Sequence, residues 1–416
     1  MSAVWPADPD QPVCATVSNQ ARRTIADRDH NLNNTQRITL ASFLAYFIMA
    51  AMLSPIGIIS GPMAEYFDEP VTAITAGFSW LTVGILVGAI AALFVLEWFR
   101  LKTLMLCLYA CIVACLVSLT LHDQLALIRF ALGCIGVCCG LGLAGAALTI
   151  SRTYSAERRA SMLVITDSSF SIGGFACSLV AAYLVAQGFH WSGVYQFVAV
   201  VAAIVMMLAA TSGFPATYAV SGPGDDSGTT RWPAGVWLCL VALLLYTLGQ
   251  SAILLWIPNY AGTALGAAAD EAGLIVSRFW SGMFLAQLLV SWWVTRVGVR
   301  RVLWLAAGGC TLMSIPMWML CDVGRLQLMA FAWGFSNLAL LKVVLSFGTQ
   351  LVPVPTARLV SGLLLGATCG TAVSPWLTSQ VVELGDNHRV LQFGTACFVT
   401  MSLLLLAATR LHRAHR

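Results

Sequence analysis

Charge is what this sequence has least of. Of its 416 residues only 10% are Asp, Glu, Lys or Arg, while 59% are hydrophobic. A water-soluble domain carries about 25% charged residues, so a mostly wetted surface is excluded. Histidine is almost as scarce, with six in the chain. His122 and His190 fall in loops, and His412 and His415 in the C-terminal tail. No His-Glu pair has metalloprotease spacing, and no glycine-rich phosphate loop runs into a lysine. These absences argue against an enzyme and against a resident cofactor or metal. A cleavable leader is not expected either, because residues 1–36 are polar and lack an apolar core. With Pro6, Pro9, Pro12, Arg22, Arg23 and Arg28, that stretch is expected to be a disordered cytoplasmic tail.

The thirteen cysteines do not fill the gap. All but Cys14 lie in or beside apolar stretches. Cys107, Cys111 and Cys115 share one helix face, and Cys138 and Cys139 are adjacent. With no His or carboxylate near them in sequence, they read as small apolar packing residues, not metal ligands.

What the chain has in abundance is long apolar runs. They fall at about 38–62, 71–96, 103–121, 125–150, 161–187, 193–213, 234–260, 272–295, 302–321, 326–350, 359–383 and 390–409. Each is long enough to cross a hydrocarbon layer roughly 30 Å thick. Lipid offers the backbone no hydrogen bonds, so each run must be helical. One polar linker stands apart, Phe214–Trp232, rich in Gly, Ser, Pro and Asp, with six spans on either side. The expected organisation is a tail (1–36), a six-helix half (37–213), a cytoplasmic linker (214–233), a second six-helix half (234–410) and a short tail (411–416). Placing both termini in the cytoplasm puts 17 of the 22 basic residues on that side and leaves only Arg325 and Arg389 opposite. That asymmetry predicts an inner-membrane protein with both ends inside.

The halves also match each other at an offset of 200 residues. Tyr46 aligns with Tyr246, Trp80 with Trp280, Arg100 with Arg300, Arg158 with Arg358 and Ser161 with Ser361. With one residue of slippage, Phe130-Ala-Leu-Gly133 meets Phe331-Ala-Trp-Gly334. A constant offset over four segments predicts two parallel six-helix halves with a solute site between them near the midplane.

Several stretches resemble a known family. The loop Arg296-Val-Gly-Val-Arg-Arg301 is similar to the basic loop signature of the major facilitator superfamily, without its acid, and Glu97-Trp-Phe-Arg-Leu-Lys102 is a degenerate copy. Closer still is a likeness to the TsgA-type transporters, relatives of the fucose permease branch. It is carried by Thr166-Asp-Ser-Ser-Phe-Ser171, Leu248-Gly-Gln250, Trp256-Ile-Pro-Asn-Tyr260, Ala272-Gly-Leu-Ile-Val-Ser277, Phe279-Trp280 and Gly348-Thr-Gln350. The likeness runs from about residue 37 to 405. It implies an all-α membrane protein with twelve transmembrane helices in two pseudo-symmetric halves, working as a secondary transporter. In that fold, helices 1, 4, 7 and 10 line the cavity and helices 2, 5, 8 and 11 flank it. The chain departs from the fucose permease pattern in one respect. Helices 1 and 4 hold no Asp or Glu in their interiors, which argues against sugar–proton symport by that arrangement.

Four ionisable residues lie inside spans: Arg129 (helix 4), Asp167 (helix 5), Arg278 (helix 8) and Lys342 (helix 10). Each costs about 2.5–3.5 kcal/mol to insert, so each is a functional candidate. All four fall on the lining and flanking helices. Three cations against one anion favour an anionic solute, a carboxylate or an oxyanion, held by Arg278 and Lys342. Arg278 has a structural alternative, bonding a carbonyl or helix end, and Arg129 can snorkel to the interface. Asp167 either carries a coupling proton, or pairs with Lys342 to latch the halves on the cytoplasmic side, or bonds locally with Thr166, Ser168 and Ser169. Gln250, Gln287, Asn337 and Trp280 complete the candidate site, each with packing or interhelical bonding as its plainer role. The glycines at 140, 142, 145, 173 and 174 are assigned to close helix packing.

The expected activity is alternating-access transport of a small solute, favoured as an anion and open to proton coupling. A neutral sugar–proton symporter and a drug exporter are the alternatives. A channel shares the composition, but the repeat favours a carrier. The expected partners are the solute, protons and the bilayer, with a monomer as the default.

Overall fold

A helix is the conformation in which an apolar segment satisfies its own backbone, and this chain uses it almost throughout. The structure, a computed structural model, describes residues 13–214, 232–352 and 357–414. These form sixteen helices: α1 (Val13–Leu53), α2 (Ile56–Phe67), α3 (Val71–Gly77), α4 (Ser79–Trp98), α5 (Leu101–Leu121), α6 (Leu125–Thr153), α7 (Ala156–Ala186), α8 (Gly193–Thr211), α9 (Ala234–Leu265), α10 (Ala269–Val297), α11 (Val299–Ser314), α12 (Pro316–Met319), α13 (Val323–Ser336), α14 (Leu340–Thr349), α15 (Ala357–Glu383) and α16 (Asn387–Ala414). Twelve spans among them are long and apolar enough to cross a membrane. Their outer faces carry large exposed apolar side chains such as Trp98, Phe130, Leu288 and Leu328. That is the surface a bilayer covers and water would not.

The spans agree with the hydropathy reading to within a few residues, and four of them are broken. Span 1 breaks at Ser54-Pro55, and span 9 before Pro316, because proline has no N–H for the helix ladder. Span 2 breaks at Phe78, where the chain passes from α3 to α4. Span 10 breaks at Asn337–Ala339, where Leu338 (φ 42°) and Ala339 (φ 52°) are left-handed. The expected N-terminal disorder is corrected from Val13 onward: α1 is one continuous 41-residue helix. After Pro12 that stretch holds no Pro or Gly, so nothing in it stops a helix from running out of the membrane.

The first half packs α1 on α6, α7 and α8, and α4 and α5 on α6. The second half packs α9 on α15 and α16, and α10 and α11 on α13. The repeat extends to individual backbone contacts. A Cβ on Gly84 would strike the Gly133 carbonyl and one on Gly136 the Leu81 carbonyl. About 200 residues on, one on Gly282 would strike the Phe331 carbonyl and one on Gly334 the Phe279 carbonyl. Each half is therefore clamped by the same glycine-on-backbone contact between its second and fourth spans.

The halves meet through α2 and α9, α3 and α15, α4 and α15, and α7 and α10. One of the tightest approaches is at Gly57, where a Cβ would lie 2.4 Å from the Leu255 carbonyl oxygen; another is at Gly273, where it would lie 2.4 Å from the Ala182 Cβ. Gly57 follows the span 1 break, on the side away from the termini. Thr82 Oγ1 donates across the interface to the Ala372 carbonyl at 2.9 Å, and Ser171 Oγ to Gln287 Oε1 at 3.1 Å. In this state the two halves are shut together at the end opposite the termini.

Candidate substrate cavity and inter-half ion pair

Between the halves, at the level of the span 1 break, lies a cavity of about 190 Å³. The first half contributes Leu53, Ser54, Ile56, Thr82 and Phe170; the second contributes Tyr246, Thr247, Gln250, Leu254, Trp280, Met283 and Pro375 among others. Its wall is mostly hydrocarbon and holds no Asp, Glu, Lys, Arg or His. The Phe170 and Trp280 rings meet edge-to-face across the interface, centroids 5.6 Å apart.

A second cleft of about 280 Å³ lies nearer the termini. It is lined by Val164, Gln287, Ala339, Lys342 and Ser346 among others. Here Lys342 Nζ pairs with the Asp167 carboxylate, joining α7 of the first half to α14 of the second. Asp167 sits about 16 Å along α7 from its termini-side start, and Lys342 about 10 Å from the matching end of α14. A third of each side chain remains exposed, 32% for both, but the Lys342 Nζ itself is buried. Tyr46 and its repeat partner Tyr246 both lie within electrostatic reach of the Asp167 carboxylate.

The structure brings some of the expected site residues together and separates others. Gln250 and Trp280 line the central cavity, and Lys342 lines the inner cleft. Arg278 is exposed and lines neither. It stands two residues from Trp280, and at about 100° per residue their side chains point nearly opposite ways. Arg278 and Lys342 therefore do not build one anion site in this state. Arg129 lies against Gly77, with its Nε 3.2 Å from where a Cβ would be, in a small recess within the first half. Asn337 is fully buried beside the span 10 break, and neither its Oδ1 nor its Nδ2 has a partner among the described residues. Of the neighbours expected to bond Asp167, Thr166, Ser168 and Ser169 each donate to a backbone carbonyl of their own helix instead. The glycines assigned to packing do pack: Gly140 on α4, Gly142 on Tyr109, Gly145 on Met105, Gly173 on Phe47 and Gly174 on Trp280.

Sequence reasoning missed Ser54, Phe170 and Thr82 as cavity residues. Ser54 carried a signal, since it precedes the proline that opens span 1. Phe170 lay within the Thr166–Ser171 stretch that carries the family likeness, while Thr82 carried nothing that distinguishes it from an ordinary span residue.

Two six-helix halves around a central cavity, with an ion pair bridging them, define a membrane transporter, not an enzyme. The chain is similar to the major facilitator superfamily, whose family model matches residues 40–236. It is similar to Protein TsgA of Escherichia coli O157:H7 and of Shigella sonnei, each 29% identical over 390 residues, 92% of this chain and 98% of the relative. Its fold is similar to that of the nucleoside transporter NupG, with a TM-score of 0.68 at 15% identity over 91% of this chain and 99% of that one. A POT family transporter in complex with 5-aminolevulinic acid gives a TM-score of 0.73 at 13% identity, over 91% and 96%. The protein is thus a multi-pass inner-membrane secondary transporter.

Proposed function

We propose that this transporter moves a small neutral solute with a coupled proton, and that the Asp167–Lys342 pair is the coupling switch. The observation that carries this reading is the ion pair joining the two halves beside a cavity with no charge in its wall. With both termini in the cytoplasm, as the 17-to-two split of basic residues favours, the pair sits on the cytoplasmic side of the solute. A proton arriving at Asp167 removes the charge that holds Lys342, so the two halves lose their link there. Deprotonation restores it. Lys342 Nζ is buried in the paired state, and the cleft it lines is where the freed ammonium would gain water, which keeps the switch reversible.

A second reading keeps the anion. Lys342, Gln287 and Ser346 all line the inner cleft, and an anionic solute there would compete with Asp167 for the ammonium. Without Arg278, that site rests on one cation that already has a carboxylate partner.

The test is a charge swap. Asp167→Asn and Lys342→Gln should each raise hydrogen–deuterium exchange in the termini-side parts of α7 and α14. The double variant Asp167→Lys with Lys342→Asp should return it towards wild type. A double variant that exchanges as fast as the singles would remove the switch. For transport, Asp167→Asn should abolish solute accumulation driven by a pH gradient while leaving exchange of solute for solute intact.

A further inference from the structure

The central cavity has a chemical character that narrows its solute beyond "neutral". We infer that it takes a small, planar, uncharged heteroaromatic compound with hydrogen-bond acceptors on its edge, bridging Trp280 of one half and Ser54 of the other. This inference rests on the neutral-solute reading above.

Volume comes first. A protein cavity of roughly 150 Å³ lined by hydrocarbon holds a benzene ring. At about 190 Å³, this cavity holds one substituted ring, and it is too small for a disaccharide or a large lipophile in this state.

Polar capacity comes second. A polyol needs a partner for every hydroxyl, because each one buried without a partner costs free energy. Two of the hydroxyls in this wall are already engaged, Thr82 with the Ala372 carbonyl and Thr247 with the Ala367 carbonyl. Hydrocarbon from Leu53, Ile56, Leu254, Met283 and Pro375 covers most of the rest. Tyr246, Ser251 and Thr371 add hydroxyls to this wall, but hydrocarbon makes up most of its surface, which suits a flat ring better than a polyol.

What is left over comes third. Trp280 is 4% exposed and Ser54 6%, and among the described residues the Trp280 Nε1–H has no acceptor and the Ser54 Oγ no partner. They are buried donors on opposite halves, and both line the same cavity. A buried donor without an acceptor costs about 1–3 kcal/mol, so a solute that supplies acceptors to both is favoured by relieving two such costs. Gln250, half-buried in the same wall, adds an amide able to donate or accept. The Phe170–Trp280 pair adds an aromatic surface suited to a flat conjugated ring. Because the two orphan donors belong to different halves, a bridging solute ties its own binding to their relative position.

The test uses the purified full-length protein in detergent. Nicotinamide and uracil serve as neutral heteroaromatic probes, nicotinate as the same ring carrying charge, and fucose and xylitol as polyols, each titrated to 10 mM against the melting temperature. Nicotinamide or uracil is expected to raise the melting temperature. Trp280→Phe, which keeps a ring and loses the N–H, and Ser54→Ala are each expected to weaken that binding about tenfold. Stabilisation by a polyol alone, lost in Gln250→Ala, would overturn the heteroaromatic class and leave the neutral-solute reading standing. Stabilisation by nicotinate alone, lost in Lys342→Gln, would overturn both. Protection by nicotinamide that is unchanged in both variants would overturn the bridging role. No protection by either neutral ring would overturn the class, while the charge swap would still judge the ion pair separately.

Discussion

Asn337 shows how much the role of one residue depends on its surroundings. It is fully buried, with both ends of its amide unpartnered among the described residues. Left so, it costs the fold the desolvation of two polar atoms, and an apolar side chain of similar size would not. Asn337→Leu is therefore expected to raise the melting temperature of the empty protein; a fall would show that the amide holds a partner, a water or a solute. At Arg278 the expected outcome is indifference. Arg278→Gln should leave the affinity for any cavity solute within twofold of wild type, measured in the same titration in which Trp280→Phe weakens it. The intramembrane charges were legible in the sequence, since each is conspicuous in an apolar run. Their facing was harder to read, although Gly273, Ser277 and Gln287, which meet the first half, share a side of span 8 that excludes Arg278.

At the scale of the element, spans were easier to read than breaks. Hydropathy located all twelve as unbroken runs, and the interruptions at 55 and 316 fall at prolines to which that reading gave no weight. The break in span 10 had no such sign: Asn337, Leu338 and Ala339 include neither Pro nor Gly. Two left-handed non-glycine residues in succession are strained, at about 1–2 kcal/mol each. At Ala339, glycine removes the clash while adding freedom to the unfolded chain. Ala339→Gly is thus expected to be neutral or mildly stabilising, and Ala339→Val destabilising by more than 1 kcal/mol. Equal melting temperatures for the two variants would mean that the left-handed turn does not exist. The same break sets Ala339 and Lys342 in the inner cleft, so the strained turn and the ion pair belong to one stretch of chain. At the other end of the molecule, the helical course of α1 beyond the membrane was hidden by composition. Its arginines and prolines resemble those of a tail, although every proline precedes Val13.

For the whole molecule, the contact to test is Gly57 on the Leu254–Leu255 backbone, where the halves meet backbone to backbone. No side chain fits there while that end is shut. Gly57→Leu is expected to hold that end open, seen as increased hydrogen–deuterium exchange in α2 and the adjoining part of α9. Unchanged exchange would show that the halves do not close at Gly57.

The glycine clamps Gly84–Gly136 and Gly282–Gly334 lie wholly within their halves and contribute no residue to the central cavity. Their separation from the cavity makes the protein a divided target for directed evolution. A library confined to Ser54, Phe170, Gln250 and Trp280 can search for new cargo without touching the contacts that keep either bundle intact. A library that admits those four glycines will fill mostly with clones that never reach the membrane.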